Sequence, residues 1–434
     1  MAAYISTVSD DVAAPTVARS YAWVVFALTF GLLLSDYMSR QVLNAVFPIL
    51  KAEWSLSDTQ LGSLSSIVAL LVGILTFPLS VVADRWGRVR SIVLMASLWS
   101  LATLGCALAA SYNQMFIARF FVGVGEAAYG SVGIALILSI FPAHMRSTMS
   151  SAFMAGGSVG SVIGMALGGI VATRFGWRWS FGAMAVFGLV LVIMYALIVR
   201  ESKLRSEAAT AARTGPNPTT QPPKLRAIFS GLFASRSVIA CYIGSGLQLF
   251  ILAAMLAWLP SFLNRYYGLP ADKAGVAAAA FILICAVGMI LCGLTTDRVS
   301  SDQPSRKWSM AIAYSLLSAG LLLSGFMMGP GTAQLALIAL GMAMVAGTTG
   351  PAGAMVANLT HPSIHATAFA TLTLANNLLG LAPGPFVTGL IADRLGLMSA
   401  MQLVPLIALG ATCAFFIGKR YYADDLQRIR SLSV

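Results

Sequence analysis

Four charged side chains stand inside long apolar stretches of the chain. Two are acids, Asp36 and Glu126, and two are bases, Arg40 and Arg119. Burial favours the neutral form of a carboxyl group and a nearby arginine favours the anion, so an acid whose neighbours move can take up and release a proton. Arginine stays charged and therefore suits the negative group of a small molecule. The alternative interpretation is a fixed ion-pair network that only orients helices.

The composition indicates which elements must position these residues. Hydrophobic residues make up 58% of the 434 residues and charged residues only 10%, whereas soluble domains carry roughly a quarter charged residues. Twelve apolar stretches are long enough to cross a membrane, which takes about 20 residues, and no alternating strand pattern occurs. The sequence therefore predicts an all-α membrane protein with twelve transmembrane helices. Helices 1 to 12 are predicted at residues 21–48, 60–83, 91–111, 114–140, 149–173, 179–199, 237–262, 274–296, 308–328, 333–358, 366–392 and 398–418.

Within these helices the four charged residues match in position. Asp36 and Arg40 are four residues apart on one face of helix 1, and Arg119 and Glu126 are seven apart on one face of helix 4. At 1.5 Å per residue, Asp36 and Glu126 lie about 18 and about 20 Å from the helix ends on the same side of the membrane. The two arginines also match in depth, at about 12 and about 9 Å on the same count.

The distribution of lysines and arginines along the chain indicates the membrane topology. The net charge is +12, but most lysines and arginines lie in alternate connections, in residues 200–236 and in the C-terminal tail, as the positive-inside rule requires. We therefore expect both termini in the cytoplasm of a bacterial inner membrane, contacts with membrane lipids, and no nucleic-acid partner.

The sequence predicts two related halves. Residues 200–236 are basic and proline-rich, which predicts a cytoplasmic linker between six-helix halves at 21–199 and 237–418, with tails at 1–20 and 419–434. Four motifs recur in order: Phe47-Pro48 as Leu259-Pro260, LSD (56–58) as LPAD (269–272), ADR (83–85) as TDR (296–298), and GIVATRFG (169–176) as GLIADRLG (389–396). Two parallel six-helix repeats are typical of a large transporter class.

The connection between helices 2 and 3 carries a known signature. SVVADRWGRVR at 80–90 resembles the GxxxDRxGRR motif of the major facilitator superfamily, with Ser80 in place of the first Gly. LSDTQLGSL at 56–64 and RFFVGVGEAAYG at 119–130 resemble the spinster-like branch. The resemblance implies the major facilitator fold, with helices 1 and 4 lining a central cavity. It therefore implies that the four charged residues, which match in depth, form one cluster.

Helix 1 departs from that branch at one position. The branch shows N-Y-x-D-R, and this chain has DYMSR at 36–40, so Tyr37 and Arg40 match while Ser39 replaces the acid. Asp36 lies nearly one turn earlier, which displaces the acid. The resemblance thus implies proton coupling at Glu126 and Asp36, and substrate binding at Arg40, Arg119 and Tyr37.

The same resemblance implies an inner gate. Asp84, beside Arg85 and Arg88, is expected to pair with Arg146 and to close the cytoplasmic side. The repeat places Asp297 and Arg298 as the second copy, with His365 at the position of Arg146. Because histidine changes charge near neutral pH, an Asp297–His365 pair would strengthen on mild acidification. An interfacial histidine without a partner is the alternative.

Glycines and prolines mark two further helices. Gly156, Gly160, Gly164 and Gly168 are four apart in helix 5, which predicts close helix packing. GGSVG at 156–160 fits the nucleophile-elbow pattern but lacks its strand–turn–helix context, so a hydrolase is excluded. In helix 11, Pro383 and Pro385 predict a bend or break. Asn376 and Asn377 precede that break, where they could face substrate or bond a neighbouring helix.

Together these features predict a function. We expect a monomeric secondary transporter that moves an amphiphilic or anionic small molecule by alternating access, coupled to protons. Alternatives are an organic-anion/proton symporter for a small carboxylate and, in another class, a receptor or scaffold on a transporter fold. The sequence has no GxxxxGK[ST] loop, and its five cysteines lack metal-ligand spacing, so neither an enzyme nor a cofactor is expected.

Overall fold

The computed structural model describes residues 18–142, 145–201, 235–360 and 365–432. Within these residues, 12 helices are long and apolar enough to cross a membrane, which confirms the predicted fold. The spans run Arg19–Trp54, Asp58–Trp86, Arg88–Leu108, Tyr112–Ile140, Thr148–Phe175, Trp177–Ile198, Arg236–Tyr267, Ala271–Val299, Arg306–Met327, Thr332–Asn358, Thr367–Leu395 and Leu397–Arg428. Most of the predicted linker lies outside the described residues, so the domain boundaries stay predictions.

Single glycines make the tightest connections between helices. Gly87, Gly176 and Gly396 join helices 2 and 3, 5 and 6, and 11 and 12, with φ values of 110°, 92° and 83°. Only glycine adopts this backbone region without strain, so each chain reversal takes one residue. Because the helices alternate in direction, the bundle has two ends. We name them the Asp58 end and the Asp84 end after the first and nearly last residues of helix 2.

The glycines of helix 5 pack against helix 1, as predicted. Gly156, Gly160, Gly164 and Gly168 face Phe30, Leu34, Met38 and Val42 in turn. A methyl group at Gly164 would lie 2.5 Å from both Cα and O of Met38. Because these four glycines have no side chains, the backbones of helices 1 and 5 lie in direct contact.

Helix 11 is interrupted where its prolines predict it. An α-helix from His365 to Asn376 gives way to a π-helix at Asn377–Leu381, and an α-helix resumes at Pro383. The N–H of Ala382 bonds Asn377 O, five residues back, at 2.9 Å. The predicted break is confirmed as a π-bulge, a form common at functional sites.

Two other breaks were not predicted. Helix 4 consists of Tyr112–Glu126 and Tyr129–Ile140, and helix 10 consists of Thr332–Gly347 and Thr349–Asn358. The two breaks occupy corresponding positions in the two halves. Glu126 is the last residue before the break in helix 4, so the acid sits at an interruption of the helix.

Replacing Gly164 with Ala tests the helix 1–helix 5 contact. The added methyl group would meet the backbone of Met38, and overpacking of this kind costs about 1–3 kcal/mol. We expect Gly164→Ala to lower the midpoint of thermal denaturation in detergent. Gly182→Ala is the matched control, because nothing lies within 4 Å of a methyl group there. Equal midpoints for the two variants would contradict the contact.

Candidate functional site

Three of the predicted site residues meet at one atom. Arg40 Nε lies 3.0 Å from Asp36 Oδ1 and 2.8 Å from Glu126 Oε2. The contact with Asp36 is a hydrogen bond, whereas that with Glu126 is an ion pair without hydrogen-bond alignment. Two carboxylates from different helices thus share a single guanidinium nitrogen.

Ser39 completes the contact between helices 1 and 4. Its hydroxyl lies 2.8 Å from Asp36 O and 3.3 Å from Glu126 Oε1, and it can donate to either. Ser39 stands where the spinster-like pattern has an acid. The acid displaced to Asp36 still reaches Arg40 because residues four apart are neighbours on a helix.

The side chains of Arg40, Asp36 and Glu126 differ in how exposed they are. The side chain of Arg40 is 22% exposed, that of Asp36 4% and that of Glu126 0%. Arg40 also lies over the ring of Tyr37, with Cζ 5.3 Å from the ring centroid. Arg40 is therefore the most exposed member of this group.

The break in helix 4 is held by helix 2. Ala127 O, which the break frees from the helix, accepts a hydrogen bond of 2.6 Å from Thr76 Oγ1. The same hydroxyl also bonds Val72 O within its own helix. A polar side chain of helix 2 thus satisfies the backbone directly after Glu126.

Arg119 is almost completely buried. It is 1% exposed, and its Nε and Nη1 donate to Leu64 O at 3.2 Å and Ser39 O at 3.5 Å. These bonds tie helix 4 to helices 2 and 1. In this conformation Arg119 links helix 4 to the backbones of helices 1 and 2, and contact of Arg119 or Arg40 with substrate stays a prediction.

The two asparagines of helix 11 differ. Asn376 Oδ1 accepts a hydrogen bond of 2.8 Å from Ser245 Oγ of helix 7. Asn377 Nδ2 donates to Thr373 O at 2.9 Å, while its Oδ1 is buried and has no hydrogen bond among the described residues. Asn376 therefore bonds a neighbouring helix, and contact of either residue with substrate stays a prediction.

The predicted gate residues lie at the Asp84 end, where Asp84 and Arg146 have separate partners. Asp84 Oδ1 is 3.5 Å from Arg88 Nε, and Arg146 Nε donates to Phe141 O at 3.4 Å. Arg85, Asp297 and Arg298 are exposed. The side chain of His365 lies outside the described residues. Among the described contacts, Asp84 and Arg146 do not pair with each other, as the gate hypothesis expects of a protein open at this end.

The opposite end holds contacts that sequence reasoning missed. Asp58 of helix 2 pairs with Arg265 of helix 7 and with Lys51 of helix 1, at 2.6 Å each. Asp393 of helix 11 binds the N-terminus of helix 2. LSD at 56–58 indicated only the repeat and the spinster-like branch, because Arg265 and Asp393 lie in the other half of the chain. The protein is closed at the Asp58 end.

Twelve helices in two repeats around a buried charged cluster define a membrane transport protein. The Major Facilitator Superfamily model matches residues 29–385, so the chain belongs to the major facilitator superfamily. It is therefore a multi-pass membrane transporter that binds a small molecule, and it is not an enzyme.

Known relatives agree with the predicted resemblance. Protein spinster homolog 1 of Homo sapiens is 27% identical over 381 residues, which cover 83% of this chain and 71% of that protein. The hexuronate transporter of Bacillus subtilis is 23% identical over 393 residues, covering 88% and 90%. The crystal structure of a bacterial homolog to the human lysosomal transporter spinster, inward-facing and unoccupied, matches with a TM-score of 0.82 at 19% identity, over 94% of this chain and 99% of that one.

Thr76→Val tests how the break beside Glu126 is held. The variant leaves Ala127 O without its donor, and an unsatisfied buried carbonyl costs about 1–3 kcal/mol. We expect a lower midpoint of thermal denaturation in detergent. Thr173→Val is the control, because the Thr173 hydroxyl bonds only Gly169 O, one turn back in its own helix. If both variants behave alike, the bond to Ala127 does not stabilise the break.

Proposed function

We propose that the protein is a symporter in which Arg40 binds the negative group of an organic anion and Glu126 carries a co-transported proton. The observation that carries this proposal is the single guanidinium nitrogen shared by Asp36 and Glu126. Ionisable residues at membrane depth are costly, and they mark substrate pathways and proton relays.

Charge balance links the anion to the proton. The cluster holds two acids and two arginines, which sum to zero when all are ionised. An anion that binds Arg40 takes the place of a carboxylate, and that carboxylate is left buried without its partner. Breaking a buried ion pair in this way is strongly unfavourable. Uptake of one proton removes the uncompensated charge, so the anion and the proton enter together.

Glu126 is the better proton carrier of the two acids. Asp36 lies on the same helix as Arg40 and keeps its hydrogen bond whenever helix 1 moves as a unit. Glu126 meets Arg40 only across the contact between helices 1 and 4, and it sits at the break in helix 4. A shift of either helix therefore separates Glu126 from its counter-ion.

The remaining predicted residues take supporting roles. Arg119 keeps helices 1, 2 and 4 together through backbone carbonyls, and the Tyr37 ring packs under Arg40. Asn376 and Asn377 are proposed as contacts from the second half, beside the π-bulge. On the positive-inside rule, the Asp84 end and both termini face the cytoplasm of a bacterial inner membrane, and the protein acts as a monomer.

The substrate class follows from Arg40, which suits an anionic group. The similarity to spinster homologs favours an amphiphile, and the similarity to a hexuronate transporter favours a small carboxylate; both can present one negative group to Arg40. A receptor or scaffold on this fold would bind without moving its ligand.

Thermal-shift measurements in detergent distinguish an amphiphilic anion from a small carboxylate as the ligand. Glucuronate and lysophosphatidylglycerol are the probes, and we expect one of them to raise the denaturation midpoint of the parent protein. Arg40→Gln should abolish that shift, because the anion loses its counter-charge. Arg178→Gln is the control, since Arg178 pairs with Glu53 at the Asp58 end. A shift that survives Arg40→Gln would place the anion elsewhere.

Glu126→Gln tests the coupling. In proteoliposomes with an imposed proton gradient, the parent protein should concentrate the probe that gave the thermal shift. The variant cannot change its charge, so its uptake should stop at equal concentrations while exchange of labelled for unlabelled probe continues. Glu53→Gln, a carboxylate bound to Trp177 and Arg178, is the control. Uphill uptake by Glu126→Gln would make Glu126 a structural residue, and no flux in the parent would indicate a receptor or scaffold.

A further inference from the structure

A bidentate ion pair joins the two halves at the Asp58 end. Arg265 Nη1 and Nη2, on helix 7, lie 2.9 and 2.6 Å from Asp58 Oδ2 and Oδ1, on helix 2. Lys51 Nζ, on helix 1, lies 2.6 Å from Asp58 Oδ1. Asp58 is 3% exposed, and fork-shaped arginine–carboxylate pairs are among the strongest hydrogen-bonded contacts in proteins.

A second carboxylate crosses between the halves at the same place. Asp393 Oδ1 accepts the backbone N–H of Asp58 at 2.7 Å, and its Oδ2 accepts the N–H and hydroxyl of Thr59 at 2.8 and 2.6 Å. The N–H of Gln60 bonds Ser57 Oγ within the first half. A helix N-terminus has unpaired N–H groups and a partial positive charge. Helix 2 thus receives part of its cap from helix 11.

The repeat supplies an internal comparison. Helices 5 and 8 form the corresponding contact between the halves, with Gly169 against Ala271 and Gly275 against Met165. There Asp272 corresponds to Asp58 and Thr173 to Asp393. The Thr173 hydroxyl bonds its own helix, and Asp272 Oδ1 has no hydrogen bond among the described residues. Both contacts have close glycine packing. The ion pair and the carboxylate hydrogen bonds between the halves lie where helix 2 meets helices 7 and 11.

We propose that Asp58, Arg265 and Asp393 form a latch, the Asp58 latch, that sets how often the protein opens at the Asp58 end. Opening there must draw helix 2 away from helices 7 and 11. Asp58 then loses Arg265, and the N-terminus of helix 2 loses Asp393. These are bonds between halves, so any opening by separation of the halves breaks them together.

Lys51 makes the latch reversible. It lies in the same half as Asp58, and it remains beside that carboxylate when Arg265 withdraws. Asp58 is therefore not left as a buried charge without a partner, which would be strongly unfavourable. The latch can hold the closed state without making the open state inaccessible.

The test measures opening directly. Spin labels on cysteines that replace Ser111 and Thr332 report the distance between the halves at the Asp58 end, since both positions are exposed there; Cys413, the exposed native cysteine, is replaced by Ser. Double electron–electron resonance is recorded without substrate or proton gradient, so the outcome is independent of the role proposed for Glu126. We expect Asp58→Asn to raise the ratio of open to closed protein roughly tenfold or more, as loss of a hydrogen-bonded charge pair implies.

Four further variants make the outcome decisive. Arg265→Gln should act in the same direction, and the double variant should add little to Asp58→Asn because the two residues act as a pair. Asp393→Asn should also favour opening, through the lost cap. Asp272→Asn is the matched control and should leave the distances unchanged. Parent-like distances in Asp58→Asn, or equal effects of Asp58→Asn and Asp272→Asn, would overturn the proposal.

Discussion

One guanidinium nitrogen, Arg40 Nε, holds the carboxylates of Asp36 and Glu126 inside a membrane-spanning bundle. This contact requires helix 1 to lie close to helix 4 at one depth, and the neighbouring helices supply that placement. The glycines of helix 5 fix helix 1 from one side, and Arg119 ties helix 4 to the backbones of helices 1 and 2. Much of the first half is thus arranged so that two negative charges depend on a single positive one.

Sequence patterns predicted the parts of this arrangement that are local or periodic. The twelve spans follow from apolar length, the helix 5 contact from glycines four apart, and the helix 11 break from Pro383. The cluster needed the resemblance as well as the spacing. The rise of 1.5 Å per residue gives equal depths on helices 1 and 4, but that the two helices line one cavity is what the family's fold implies. The break after Glu126 has no proline to signal it. Gly123 and Gly125 precede it, but they also pack against Val68 and Trp99, so glycine there predicts contact as readily as a bend.

Contacts between the halves could not be predicted in the same way. The pairing of Asp58 with Arg265 depends on how two six-helix units dock, which no local pattern specifies. The repeat also shows how far the halves have diverged in chemistry while keeping one scaffold. With Phe47-Pro48 aligned to Leu259-Pro260, Gln248 and Leu252 stand at the positions of Asp36 and Arg40. Helix 10 keeps the break of helix 4, but without an acid beside it.

Helix 2 connects the charged centre to both ends of the bundle. It begins at Asp58, which pairs with Arg265 of the other half, and it carries Asp84 near its far end. Between them, Leu64 O accepts from Arg119, and Thr76 bonds the backbone directly after Glu126. On the proposed function, a tilt of helix 2 at Asp58 would displace Leu64 and Thr76 as well, and with them the surroundings of Glu126. The same element that separates the halves can therefore alter the contact between Glu126 and Arg40, which is the physical requirement for coupling a proton to a conformational change.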